Sequence, residues 1–357
     1  MKLLKKAIPN PLKDEIDVPN MDYSYFNNIE KFPFSPHELS YSKVNAWWLS
    51  EASFLAYCHP EFVRMAFKIA NFPVFKFFNG PGTECMVASS KNSVIISFRG
   101  TETSSLSFFH ELASDLNTIP VPFQQGGTVH SGFLEALEEV WEEKDEEYIK
   151  KNPKHHTGLR LYIEKLISES FDRTIWICGH SLGGALATLC FARIPEATGL
   201  YIYGAPRVGD DEFNKLINNR PFFRIENAGD PIPLLPPKIP NIEFNFVESG
   251  ELIYLDKNGA PLSKRNSLNN WNGNFDENEI RSAENKRELE IAESWKVLPK
   301  YFNEFEQNIK QIRHHMKKSL KDWTAYLEEV DDELTPDIES HMPIYYTVKL
   351  WNILLEK

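Results

Sequence analysis

The chain has 357 residues, 42% of them hydrophobic, 13% aromatic and 25% charged, a composition that excludes disordered and fibrous classes and provides for a large buried core. A formal charge of −12 repels phosphate, so no nucleic-acid partner is expected. At about 150 residues per domain the length allows two domains, and it fits one α/β domain with insertions equally well.

Taken from the N-terminus, Met1-Lys2-Leu3-Leu4-Lys5-Lys6 carries charge but no apolar run before Pro9 and Pro11, so it does not read as a secretory signal. No stretch approaches the roughly 18 apolar residues of a membrane span. The expected location is the cytoplasm, or outside it by a route that needs no cleaved signal. Residues 1–40 are polar and Pro-rich and read as an N-terminal extension, with the fold starting near Ser40. Val44–Ala56 is apolar on more than one side and long enough for a buried helix. Short runs at Val74–Phe78, Met86–Ser89 and Val94–Phe98, separated by Gly80-Pro81-Gly82 and Lys91-Asn92, predict an antiparallel edge to a larger sheet.

From residue 133 helix and strand alternate. Helices are predicted over Phe133–Lys151, Gly158–Ser168, Leu182–Ile194 and Asp211–Asn218, with strands at Thr174–Cys178, Gly199–Tyr203 and Phe222–Glu226. That alternation implies right-handed crossovers and an α/β fold with a mostly parallel central sheet flanked by helices. Active sites in such sheets lie beyond the carboxyl ends of the strands, here just after Cys178, Tyr203 and Glu226. Beyond Asp256 the chain turns polar and Asn-rich. Apolar residues then recur from Phe302 to Val330 at spacings of three and four, which predicts one long amphipathic helix. Cys58, Cys85, Cys178 and Cys190 sit in apolar segments without close C-x-x-C pairing and read as buried thiols.

After the strand Thr174–Cys178 comes Gly179-His180-Ser181-Leu182-Gly183-Gly184, a G-x-S-x-G sequence between a strand and a small-residue helix. Alone it could be an ordinary glycine turn; its strand–helix setting favours a nucleophile turn that projects Ser181 at the sheet edge. The helix starting at Leu182 aims free N–H groups at the same point, which suits an oxyanion. A serine needs a base and the base an orienting acid, in the order Ser, Asp or Glu, His for this type of sheet. Asp230 follows the strand Phe222–Glu226, whereas Asp210 and Asp211 look like helix caps. Only His314, His315 and His341 lie downstream of Asp230. The first two fall in a Lys-rich stretch, so His341, just before the apolar helix Ile344–Leu355, is assigned as the base; the bland alternative is a capping or solvent-facing histidine.

These residues resemble the class 3, or fungal-type, lipases. The resemblance rests on five motifs in order: Phe98-Arg99-Gly100-Thr101, Val129-His130-Ser131-Gly132-Phe133, the serine turn, Tyr203-Gly204-Ala205-Pro206-Arg207-Val208-Gly209-Asp210, and Asn227 to Pro237. It runs from about residue 41 to 245 and resumes at His341. The resemblance implies an α/β-hydrolase fold, with Ser181 as nucleophile, Asp230 as orienting acid, His341 as base and the N–H groups of Thr101 and Leu182 as oxyanion hole. It makes His180 a supporting residue, and Asp115 either a hydrogen-bonding partner of Thr101 or a helix-surface charge. It places a lid over 102–112, where Leu106, Phe108, Phe109 and Leu112 are either lipid-facing or fixed in the core. On this reading residues 41–256 and 336–357 form the lipase domain, and 257–335 is a helical insertion or cap that separates Asp230 from His341 by 111 residues.

The implied reaction is hydrolysis of lipid carboxylic esters through an acyl-enzyme, with neither metal nor organic cofactor required. The expected partners are a lipid ester substrate and a membrane or lipid-droplet surface. Triacylglycerol is the first substrate expected, with phospholipid, monoacylglycerol or a small soluble ester as alternatives. A catalytically silent lipid-binding or scaffold protein is the rival from another class. For the helix within 257–335, a local excess of lysines suggests docking on anionic lipid, whereas its apolar stripe suits a structural cap.

Overall fold

The computed structural model describes residues 25–26, 28–100, 120–170, 172–230, 232–236, 246–255, 261–262 and 338–355. In chain order the elements are α1 (Lys43–Leu55), α2 (Pro60–Ile69), β1 (Val74–Asn79), β2 (Glu84–Ser89), β3 (Ser93–Phe98), β4 (Pro120–Pro122) and β5 (Thr128–His130). They continue with α3 (Ser131–Trp141), α4 (Glu146–Lys151), α5 (Leu159–Glu169), β6 (Thr174–His180), α6 (Leu182–Arg193), β7 (Gly199–Tyr203) and α7 (Asp211–Lys215). The last are β8 (Phe222–Asn227), a 3-10 turn (Ile232–Leu234), β9 (Glu251–Leu255), β10 (Pro261–Leu262), α8 (Ile338–His341) and α9 (Pro343–Leu355).

Among the described residues the main sheet has eight strands in the order β1-β2-β3-β6-β7-β8-β9-β10. The β1–β2, β2–β3 and β9–β10 pairs are antiparallel, and every pair from β3 to β9 is parallel. Side chains alternate across it with period two. In β6, Ile175 and Ile177 enter a core shared with α3, α5 and α6, whereas Trp176 and Cys178 enter a second core shared with α1, α2 and α9. A sheet covered on both faces needs strands apolar on both faces, as the fully buried β3, β6 and β7 are; in the equally buried β8, Arg224 and Glu226 pair with each other on one face.

Helix α1 begins where the Ser42 Oγ accepts the Asn45 N–H at 3.2 Å. It is buried nearly all round because the sheet lies on one side and α9 on the other, with the Trp47 and Trp351 rings 5.2 Å apart. All four cysteines are buried free thiols. Among the described residues no helix is long and apolar enough to cross a membrane.

Two expectations are corrected. Packing does not start near Ser40: Phe26 is buried in the second core, Phe34 packs beside Trp48 and Trp176, and the Trp176 indole N–H donates to the Pro36 carbonyl at 2.9 Å. The predicted helix Phe133–Lys151 is two helices, because Glu142 turns to extended backbone and Asp145 caps a new start by accepting the Tyr148 N–H at 2.8 Å. Strands β9 and β10 and the small β4–β5 ribbon have no counterpart in the sequence reading. The predicted helix Phe302–Val330, and nearly all of the 257–335 segment, lie outside the described residues.

Candidate active site

The carboxyl ends of β3, β6, β7 and β8 share one edge of the sheet, with Phe98 beside Gly179, His180 beside Tyr203 and Tyr203 beside Ile225. Ser181 leaves β6 there at φ 57° and ψ −133°, a backbone state that L-residues rarely adopt, and α6 begins at the next residue. Both glycines of the turn are steric necessities. A methyl on Gly179 would stand 2.2 Å from the Gly183 carbonyl oxygen, and one on Gly183 would stand 2.2 Å from that of Phe98. The serine is pinned from below, its N–H donating to the Tyr203 carbonyl at 2.9 Å. The Leu182 N–H, first in α6, belongs to the donors that a helix leaves without internal partners.

His341 ends the short α8, immediately ahead of α9. Its Nε2 lies 2.9 Å from the Ser181 Oγ, and its Nδ1 lies 3.0 and 2.9 Å from the two oxygens of Asp230. A carboxylate only accepts, so Nδ1 carries the proton and Nε2 presents its lone pair to the serine hydroxyl. The Asp230 side chain is wholly buried, and the Ile232 N–H and the Tyr346 hydroxyl also donate to it, at 2.9 and 2.5 Å. Tyr346 in turn accepts the Asn227 N–H at 3.1 Å, while the Asn227 amide donates to the Ser340 carbonyl at 3.0 Å. Arg207 secures the turn beyond Asp230 by donating to the carbonyls of Leu234 and Pro236.

The structure therefore brings together Ser181, Asp230 and His341 at one strand edge, with the Leu182 N–H and the His180 ring beside them. Asp210 is a helix cap, as read from the sequence, accepting the Phe213 N–H at 2.8 Å. Thr101, Asp115, Leu106, Phe108, Phe109 and Leu112 lie outside the described residues. Tyr346 and Tyr57 were not singled out in the sequence. The only local hint for Tyr346 is its place five residues after His341 on a helix that starts at Pro343. Among the described residues no group of three or more His, Cys, Asp or Glu side chains is placed to hold a metal ion.

His130, in the Val-His-Ser-Gly-Phe motif, sits apart from the serine. It is fully buried and stacked on Phe133 at 4.0 Å, and among the described residues neither ring nitrogen has a hydrogen-bond partner. Burial pushes its pKa down to about 3, and burial likewise holds His180 well below the ordinary histidine range. Both are neutral when folded, whereas in the unfolded chain each protonates below about pH 6.5. Protons then favour the unfolded state, so stability is fully present above about pH 6.5 and falls as the pH drops towards 3. The slope reaches about 1.4 kcal/mol per pH unit for each group. The urea midpoint is expected to drop steadily between pH 6.5 and 5, with a shallower drop in His130→Leu; equal slopes would contradict a neutral buried His130.

The sheet order and the strained serine turn define an α/β-hydrolase fold. The family model "Lipase (class 3)" matches residues 95–239, so over this segment the chain is similar to the class 3 lipases. A secreted mono- and diacylglycerol lipase of Fusarium solani is 35% identical over 144 residues, 39% of this chain and 37% of the relative. A lipase of Rhizomucor miehei is 30% identical over 190 residues, 49% of this chain and 46% of the relative. The solved Rhizomucor miehei lipase propeptide complex aligns with a TM-score of 0.46 at 25% identity, covering 63% of this chain and 72% of that one. The chain thus spans less than half the length of these two curated relatives.

Proposed function

We propose that the protein is a serine hydrolase that cleaves the carboxylic esters of lipids, of the triacylglycerol lipase type. The observation that carries the reading is the unbroken hydrogen-bond chain from Ser181 through His341 to Asp230 at the strand edge. The match of residues 95–239 to the class 3 lipase family model supports the choice of ester substrate. In this reading His341 Nε2 takes the proton of Ser181 as Oγ attacks the ester carbonyl, and buried Asp230 stabilises the imidazolium that forms. The Leu182 N–H, and by resemblance that of Thr101, receives the oxyanion. His341 then returns the proton to the leaving alcohol, and water, activated by the same nitrogen, releases the acid. A segment over 102–112 as lid, and a lipid surface as partner, belong to the same proposal.

Release of fatty acid from a triacylglycerol emulsion, compared with phospholipid vesicles and soluble p-nitrophenyl esters, tests this function. Turnover highest on the emulsion is expected; turnover confined to phospholipid would make the protein a phospholipase, and none on any ester would overturn hydrolysis. Tyr346→Phe removes one short hydrogen bond to the Asp230 carboxylate, a bond to a charged group worth about 1.5–3 kcal/mol. If about half of that is lost in the transition state, kcat on a soluble ester falls roughly 4- to 13-fold with KM little changed. An unchanged kcat would mean that the tyrosine only fills space.

A further inference from the structure

His180 precedes Ser181 yet is not placed as its base, since both ring nitrogens are committed elsewhere. Its Nε2 lies 2.5 Å from the backbone carbonyl oxygen of His341, and its Nδ1 lies 2.8 Å from the Tyr57 hydroxyl. A carbonyl can only accept, so Nε2 carries the proton. Burial keeps the ring neutral, which leaves Nδ1 as an acceptor for the Tyr57 O–H. Hydrogen-bond directions along the chain are thereby fixed: Tyr57 donates to His180, and His180 donates to the His341 carbonyl.

The recipient matters because of where it sits. His341 ends the four-residue α8, so its carbonyl stands at the junction with α9, where His180 Nε2–H meets it. The His341 ring is fixed through Nδ1 by Asp230, while His180 fixes its backbone, and the two imidazoles lie 4.6 Å apart at 37°. Tyr57 is itself wedged in place. It follows α1, and a methyl on Gly100 would stand 2.1 Å from its hydroxyl, so that oxygen rests against the backbone at the end of β3. A side chain beyond α1, one at the end of β6 and the base ahead of α9 are joined across the top of the sheet.

We infer that Tyr57 and His180 are positioning residues that hold the backbone of His341 so that its Nε2 meets Ser181, with His180 working as the neutral Nε2–H tautomer. This rests on the reading of Ser181 and His341 as nucleophile and base. His180→Leu removes the donor, whereas His180→Gln keeps an N–H to give and an oxygen to accept from Tyr57. A misplacement of about 1 Å costs on the order of 10²-fold in rate. The expected result on a soluble p-nitrophenyl ester is a kcat about 10- to 100-fold lower in His180→Leu with KM within twofold. Recovery to within about fivefold of wild type is expected in His180→Gln, with both variants melting as cooperatively as wild type.

Wild-type kcat in His180→Leu, or equal losses in both folded variants, would overturn the inference. Imidazole nitrogen NMR of the resting protein decides it without turnover. A neutral Nε2–H tautomer at His180 from pH 5 to 8 is expected, with His341 resonances displaced in His180→Leu and retained in His180→Gln. An Nδ1–H or charged His180, or His341 resonances unmoved in His180→Leu, would overturn the positioning role. If wild type hydrolyses no ester while the NMR pattern holds, the hydrolase reading falls and the geometric role stands.

Discussion

Ser181→Ala is expected to lower ester turnover by about 10⁴- to 10⁶-fold, the loss typical of a triad member in serine hydrolases. The fold should tolerate it. The side chain contributes one hydroxyl, hydrogen-bonded to His341, and the turn is dictated by the close approach of Gly179 and Gly183 rather than by the serine. His341→Ala should fall as far, since the hydroxyl then has no acceptor to take its proton. Because the two residues act as a unit, the double variant should be scarcely worse than either single one. Initial rates and thermal melts of the three variants check this. A His341 variant with near-normal activity, or a comparable loss in His314→Ala or His315→Ala instead, would mean that the base lies elsewhere.

Gly204→Ala is expected to be the most damaging change that removes no polar group. Gly204 follows β7 at φ 54°, and a methyl there would stand 2.5 Å from Asp230 Oδ2, 2.8 Å from the Tyr346 hydroxyl and 3.1 Å from His341 Nδ1. All three atoms belong to the acid–base assembly, so the methyl cannot enter without driving the acid and the base apart. A shift of about 1 Å at a reacting group costs on the order of 10²-fold. Overpacking adds about 1–3 kcal/mol of destabilisation, and left-handed backbone a further 1–2 kcal/mol. The expected outcome is a kcat at least about 10²-fold lower together with a lower melting temperature. A stable variant with wild-type kcat would show that the contacts around Asp230 do not set the position of the base.

What the sequence reveals and what it hides divide along physical lines. The Ser181 turn is legible because its requirement is local: two glycines at fixed offsets, a strand before and a helix after. Asp230 and His341 are nominated by chain order and by their places after a strand and before an apolar helix; their meeting across 111 residues is visible only in three dimensions. Tyr346, Tyr57 and the roles of the His180 nitrogens depend on single hydroxyls and ring atoms meeting over distances of 116 to 161 residues along the chain, which no periodicity encodes. The break at Glu142 is hidden because an acidic, helix-favouring run continues through it until Asp145 caps afresh. The aromatic residues Phe26 and Phe34 are hidden by the opposite effect, since a Pro-rich polar setting reads as an extension although their rings are covered by Trp48 and its neighbours.

The proposal that His341 activates Ser181 for attack on an acyl-type electrophile is tested most directly by a fluorophosphonate probe followed by peptide mass spectrometry. Phosphonylation requires the serine oxygen to be both accessible and deprotonated by a neighbour as it attacks, and it is independent of which lipid the protein prefers. The account predicts one label per chain, on the peptide containing Ser181, with labelling slowed by orders of magnitude in His341→Ala. No label on wild type, a label on a different serine, or an undiminished rate in His341→Ala would contradict it.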